Sequence, residues 1–180
     1  MYGIINKSIE ELVRSNFGND CWDRVLTRSE INIDYFLSNE IYDDDITYKL
    51  AKSISEELSM SVSDVLYVFG EWWILKTTKE KYGGLLEAGG NDLGNFLKNL
   101  PQFHNHIMLI YPKITPPEFK VSNINNNSID IHYYSKRLGL EDFVKGLLSG
   151  LSKLFNTETT ITHLKSRIDE EDCEIFNVKW

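Results

Sequence analysis

Apolar residues recur at helical spacing through the first two thirds of the chain and alternate in its last third. Ile5, Ile9, Leu12 and Val13 form one helical stripe, which Gly18 ends. A stretch with little period follows. Then the run Tyr42-Asp43-Asp44-Asp45 precedes Ile46, Leu50, Ile54 and Leu58 at helical steps. Aspartates there supply a capping oxygen and negative charge where a helix N-terminus favours both, and this reading is preferred to a divalent-metal site. Ser61 and Asp64 fit a capping box ahead of the stripe Val62, Val65, Leu66, Phe69 and Trp73. Gly83-Gly84 and Gly89-Gly90 bracket a short element, and Leu93, Phe96, Leu97 and Leu100 mark another helix. Pro101 lacks an amide donor, so it predicts a helix boundary or kink, with a further helical segment over Gln102–Tyr111 before Pro112.

From Pro116-Pro117 onward the texture changes. Two strands are predicted around Phe119–Val121 and Ile129–Tyr134, joined by the Asn-rich loop Ser122–Ser128. Leu140–Phe155 returns to helical period, with Phe143, Leu147, Leu151 and Leu154 on one side. Thr159–Lys165 and Glu174–Trp180 read as strands joined by the acidic turn Asp169–Asp172. The expected fold class is α+β: an N-terminal helical bundle followed by a helix-plus-antiparallel-sheet subdomain. The whole of 1–180 is expected to be one domain, with the helical subdomain over about 1–60 and the sheet-bearing one over about 61–180.

Composition narrows the function classes. The chain has 180 residues, 42% hydrophobic and 12% aromatic, enough to bury a sizeable core. A net charge of −8 argues against wrapping nucleic acid. No uncharged apolar run reaches a membrane-spanning length, and Lys7, Glu10 and Glu11 interrupt any signal-peptide core, so a cytoplasmic protein is expected. Cys21 and Cys173 make neither a metal cluster nor a disulfide framework, and both sit in acidic contexts that do not lower a thiol pKa.

Chemistry concentrates in two places. His104 and His106 lie on one helical segment but point about 200° apart, so they cannot both ligate one ion. By spacing His104 shares its side with Met108 and Tyr111, and His106 with Ile110. His132 and His163 fall on strands without partners at zinc-like spacing. A single histidine suffices only where another group supplies the remaining ligands, as in haem. The second place is Tyr133-Tyr134-Ser135-Lys136-Arg137. On a strand, Tyr133, Ser135 and Arg137 share one face, offering a phenol, a hydroxyl and a guanidinium fork to a carboxylate or phosphate. An ordinary strand end with a solvated arginine fits the same pattern. There is no nucleophile elbow and no P-loop.

These pieces resemble the H-NOX (haem–nitric oxide/oxygen binding) family, the domain that forms the gas sensor of soluble guanylate cyclase. The opening Met-Tyr-Gly-Ile-Ile-Asn-Lys is similar to the family's start. Tyr133, Ser135 and Arg137 match its Y-x-S-x-R signature, followed by Leu138-Gly139-Leu140 and the helix at Gly146-Leu147-Leu148. His104 stands at the family's proximal-ligand place relative to Pro112 and Tyr133. Length and the order of helices then sheet extend the resemblance over essentially the whole chain.

The resemblance implies haem b as cofactor, with His104 as axial iron ligand and Tyr133, Ser135 and Arg137 holding the two propionates. It implies that Pro117 presses on the macrocycle. It also implies a distal wall of Ile5, Trp73, Phe143 and Leu147. Phe143 stands where oxygen-binding members carry a tyrosine, and it has no donor for bound oxygen. The expectation is therefore a five-coordinate sensor that binds NO and CO and excludes oxygen. In that reading NO weakens the iron–His104 bond, the haem relaxes, and the His104 helix shifts relative to the N-terminal bundle. With no output domain in the sequence, the signal is expected to pass to a separate partner such as a histidine kinase or a cyclic-di-GMP enzyme. Two alternatives stand beside it: a haem-free binder of a small acidic ligand, and a haem enzyme with peroxidase or NO dioxygenase chemistry.

Overall fold

The computed structural model describes residues 1–110, 117–167 and 173–180. Tyr111, Pro112, Pro116 and the acidic turn Asp169–Asp172 fall outside these residues. Two compact units emerge, Met1–Phe69 and Gly70–Trp180.

The first unit contains α1 (Gly3–Phe17), α2 (Asn19–Ser29), α3 (Asp44–Leu58) and most of α4 (Val62–Trp72). Gly18 ends α1 and opens α2 at φ 86°, a left-handed conformation that glycine adopts without a Cβ penalty. Ile9, Leu12 and Val13 of α1, Leu50 and Ile54 of α3, and Val65, Leu66 and Phe69 of α4 are buried, as their spacing predicts. Val62 is not: it is exposed at the first turn of α4. Asp43 caps α3 by accepting from the Asp45 amide at 3.0 Å. At α4, the Asp64 amide donates to Ser61 Oγ at 3.0 Å, while the Ser61 hydroxyl donates back to the Asp64 carboxylate. Helix α2 lies in the stretch of weak period. It buries Cys21, Trp22, Val25 and Ser29. Between α1 and α3, Thr47 donates to Asn6 Oδ1 at 2.6 Å in a fully buried contact.

The second unit begins in the last turn of α4 and continues as a π-helix over Trp73–Thr78. It then contains α5 (Lys79–Gly89), α6 (Leu93–Ile110), β1 (Glu118–Ser122), β2 (Ser128–Tyr134), α7 (Glu141–Leu154), β3 (Thr160–Lys165) and β4 (Glu174–Lys179). The strands form one antiparallel sheet in the order β1-β2-β4-β3, with Phe119 opposite Tyr133 and Tyr133 opposite Glu174. Helix α6 packs on β1 and β2, and α7 on β3 and β4. Phe96, Leu97, Ile129, Ile131, Val144, Phe176 and Val178 are the centre of the core. The class is α+β.

Pro101 neither ends α6 nor splits it. The helix runs from Leu93 to Ile110 with Pro101 inside. A proline there withholds the donor that the Leu97 carbonyl would use, a cost of about 3 kcal/mol in an isolated helix. Burial of Leu93, Phe96, Leu97 and Leu100 on the preceding turns offsets that loss. Among the described residues no helix is long and apolar enough to cross a membrane.

Candidate functional site

His104 lies one turn beyond Leu100, where the buried face of α6 reaches β1. Its Nδ1 is 3.2 Å from the Leu100 carbonyl oxygen. A carbonyl only accepts, so Nδ1 carries the proton and Nε2 keeps its lone pair. Burial pushes the imidazole down to about 4, against the opposing pull of the Leu100 hydrogen bond. At neutral pH the ring is therefore uncharged with one basic nitrogen available, which is the state a metal ligand needs. The ring packs against Phe119 at 4.4 Å and Phe103 at 5.6 Å between centroids. His106 is exposed. Met108 and Leu109 are exposed as well, so the buried stripe of α6 does not continue from His104 to Met108.

Phe119 links His104 to the second place of interest. Its ring lies 5.4 Å from that of Tyr133, directly across the β1–β2 ladder. Burial raises the Tyr133 phenol above its ordinary pKa, opposed by a hydrogen bond with Ser135 and by the positive charges of Arg137 and Arg167. Tyr133, Ser135 and Arg137 do come together, but not as one strand face. β2 ends at Tyr134, and Ser135–Arg137 form a strap beyond it. Within the strap the Arg137 amide donates to Ser135 Oγ at 3.1 Å. Arg167 Nη1 donates to the Ser135 carbonyl and, at 3.2 Å, to the Arg137 carbonyl. Pro117 stands half-buried immediately before β1.

The residues expected on a distal wall divide between the units. Ile5 is half-buried on α1, in the first unit. Phe143 and Leu147 lie one turn apart on α7, and Trp73 opens the π-helix. The two segments approach through glycine. A Cβ at Gly70 would stand 2.3 Å from the Phe143 carbonyl and 2.7 Å from the Leu147 nitrogen. One at Gly150 would stand 2.9 Å from Ile74 Cβ. Glu71 fastens the same pair by accepting from Ser149 at 2.6 Å and Lys153 at 2.5 Å. Trp72 Nε1 and Thr78 Oγ1, at the two ends of the π-helix, are buried donors without a hydrogen-bond partner.

The other histidines are held by neighbours. His132 Nε2 is hydrogen-bonded to Ser122 Oγ at 2.7 Å. His163 Nε2 meets the Glu174 carboxylate at 2.8 Å and stacks on Phe176. No group of three or more His, Cys, Asp or Glu among the described residues forms a metal cluster.

Residues 2–163 match the family model described as Haem-NO-binding. The chain belongs to the H-NOX family. It is similar to two soluble guanylate cyclases of Caenorhabditis elegans: gcy-34, 30% identical over 99% of this chain, and gcy-35, 28% identical over 89% of it. These matches cover 28% and 24% of the two cyclases, so the chain spans about a quarter of the length of the curated relatives it matches. A point mutant of an H-NOX protein from K. algicida, in the Fe(II) unliganded state, superposes with a TM-score of 0.87 at 27% identity, covering 99% of this chain and 96% of that one. An H-NOX protein from S. oneidensis in the Fe(II)NO state shares the fold, with a TM-score of 0.88 at 20% identity over 99% of this chain and 98% of that one.

H-NOX domains are haem-binding sensor domains, and the donor set of this chain fits the group. Haem presents one metal that accepts a neutral imidazole and two carboxylates that accept hydrogen bonds. His104 is neutral with Nε2 unprotonated, and on the far side of Phe119 stand a phenol, a hydroxyl and a guanidinium. Sequence reasoning missed Phe119 as the ring between the two groups, although its strand position opposite Tyr133 carried the signal. It also missed Arg167. Nothing in the spacing of Arg167 connects it to Ser135.

Proposed function

We propose that this H-NOX domain is a haem b sensor for nitric oxide, with His104 as the axial ligand and Tyr133, Ser135 and Arg137 as the cradle for the propionates. The observation that carries the reading is the His104 imidazole, half-buried between Phe103 and Phe119, neutral and fixed in one tautomer by Leu100. When bound, the haem would supply a ferrous iron able to take NO or CO. Trp73, Phe143 and Leu147 are the distal wall in this reading, and Pro117 the residue pressed on the macrocycle. Phe143 donates no hydrogen bond. Bound oxygen carries partial negative charge and gains from a donor in a dry pocket, whereas NO needs one far less, which supports selectivity for NO. None of the three wall residues is an acid or base, which supports sensing over peroxidase chemistry.

His104 is also the output. It would tie the ligand site to α6, so that a weaker hold of the iron on His104 when NO binds would leave that helix able to shift. A separate protein, such as a histidine kinase or a cyclic-di-GMP enzyme, then reads the shift. Guanylate cyclases among the relatives fit the same logic of a sensor coupled to a distinct catalytic part.

The absorption spectrum of the reduced protein tests this, taken without oxygen, then in air, then with NO. The expected result is a haem band unchanged by air and shifted by NO. Failure to take up haem would refute the role of His104. Oxygen binding is the second reading, favoured by the unpartnered donors Trp72 Nε1 and Thr78 Oγ1. A stable spectral change in air, abolished by Thr78→Val or Trp72→Phe, would establish it.

A further inference from the structure

The strap that follows β2 carries two of the three groups of the anion cradle, yet the sheet does not hold it. The β1–β2 ladder ends with Glu118 opposite Tyr134, so Ser135, Lys136 and Arg137 lie beyond it. One contact within the strap, from the Arg137 amide to Ser135 Oγ, closes it locally. A second element holds it from outside. Arg167, just past the end of β3, places one guanidinium nitrogen against the carbonyl oxygens of both Ser135 and Arg137.

This arrangement has an electrostatic consequence. A carbonyl oxygen is the negative end of its peptide dipole, and one turned toward a bound carboxylate would repel it. Arg167 draws two such oxygens onto a single cation. The charge count points the same way. Glu174 sits opposite Tyr133 on β4 and is itself buried, with its carboxylate on His163. Arg137 alone would face an incoming carboxylate against that negative charge. Arg167 is a second positive charge close enough to act on the Tyr133 phenol.

We propose that Arg167 is the positioning residue of the anion cradle, clamping the main chain of the Ser135–Arg137 strap so that Ser135 and Arg137 face a bound carboxylate. The proposal rests on the reading that Tyr133, Ser135 and Arg137 hold the haem propionates. Arginine suits the task because one terminal nitrogen carries two N–H donors, one for each carbonyl, and the guanidinium stays charged. Hydrogen bonds from a charged donor to two carbonyls are strong enough to order a short strap that the sheet does not pin.

The test uses the haem-loaded protein and its Arg167→Met, Arg167→Lys and Arg137→Met variants. Two rates are measured in each: haem transfer to an excess of a high-affinity haem-scavenging protein, and hydrogen exchange at the Arg137 amide. Arg167→Met is expected to speed both by about tenfold. Arg167→Lys keeps the charge and a donor, and is expected to return both most of the way to the native rates. A Lys variant that loses haem as fast as the Met variant would overturn the proposal, as would native haem retention in Arg167→Met, whatever the Arg137 amide does. Arg137→Met separates this idea from the reading beneath it. Fast haem loss there alone overturns only the role of Arg167, whereas native retention in Arg137→Met overturns the propionate cradle itself.

Discussion

Acidification probes the state of His104 directly. In the folded chain its imidazole is held at about 4, below the ordinary 6.5. Between those values the unfolded chain binds more protons than the folded one, so stability rises with pH across that window. The contribution is fully present above about 6.5, falls as the pH drops toward about 4, and is constant below. A displacement of this size corresponds to about 3 kcal/mol. The assay is urea unfolding of the haem-free chain and of His104→Gln at steps from about pH 7.5 to about pH 4. Carboxylates titrate in both proteins, so the difference between them isolates the imidazole. Relative to the Gln variant, the native chain is expected to lose about 3 kcal/mol, roughly two thirds of it by about pH 5. A difference that stays flat across the range would refute the claim that burial keeps this ring neutral, and with it the argument that Nε2 is ready to ligate.

Three further outcomes follow from packing and polarity. Phe143→Tyr introduces a phenol on the proposed distal wall and is expected to convert a haem spectrum indifferent to air into one that changes reversibly with oxygen. Gly150→Ala drives a Cβ to 2.9 Å from Ile74 Cβ and 3.2 Å from the Glu71 main chain, and is expected to cost about 1–3 kcal/mol in chemical denaturation. Thr47→Val removes the hydroxyl that donates to buried Asn6 Oδ1, whose amide nitrogen already lacks a partner. A loss of about 1–3 kcal/mol is expected in the same assay, and an unchanged midpoint would mean that Asn6 finds another partner.

Where burial follows a strict period, the sequence was a sufficient guide. The stripes of α1 and α3 and the alternation of β2 and β4 each face a core, so spacing alone located them. On α7 the buried face is instead Val144, Leu148 and Leu151, and of the expected stripe Phe143, Leu147, Leu151 and Leu154 only Leu151 is buried. Helix α2 escaped because its buried face is built from Cys21, Trp22, Val25 and the polar Ser29, set among charged residues. The π-helix has no periodic signature either; its widened turn lies where Ile74 packs against Gly150. In the site, His104 and the Tyr133–Arg137 motif were legible as residue types at a spacing. The state of His104 was not, since it depends on a carbonyl one turn away and on the Phe119 ring from β1. Nor was the shape of the strap, because alternation along a strand cannot report where the ladder stops. Arg167 reaches Ser135 only through the tertiary fold.

Helix α6 reads differently as a mechanical part. Its first half, Leu93 to Leu100, is embedded in the core, while Met108 and Leu109 near its far end face solvent. Between the two stands Pro101, where one rung of the hydrogen-bond ladder has no donor and bending stiffness is lowest. His104 sits just beyond that joint, with its ring against Phe119 and Phe103. In the proposed sensing mechanism, pulling or releasing the imidazole would act on a short lever whose pivot lies in the core and whose outer residues Met108 and Leu109 are exposed. Leu109 lies about 12 Å along the axis from Pro101, so a tilt of about 10° would carry it about 2 Å. On that geometry a sub-ångström displacement at the ring would become a movement large enough to alter side-chain contacts at Leu109.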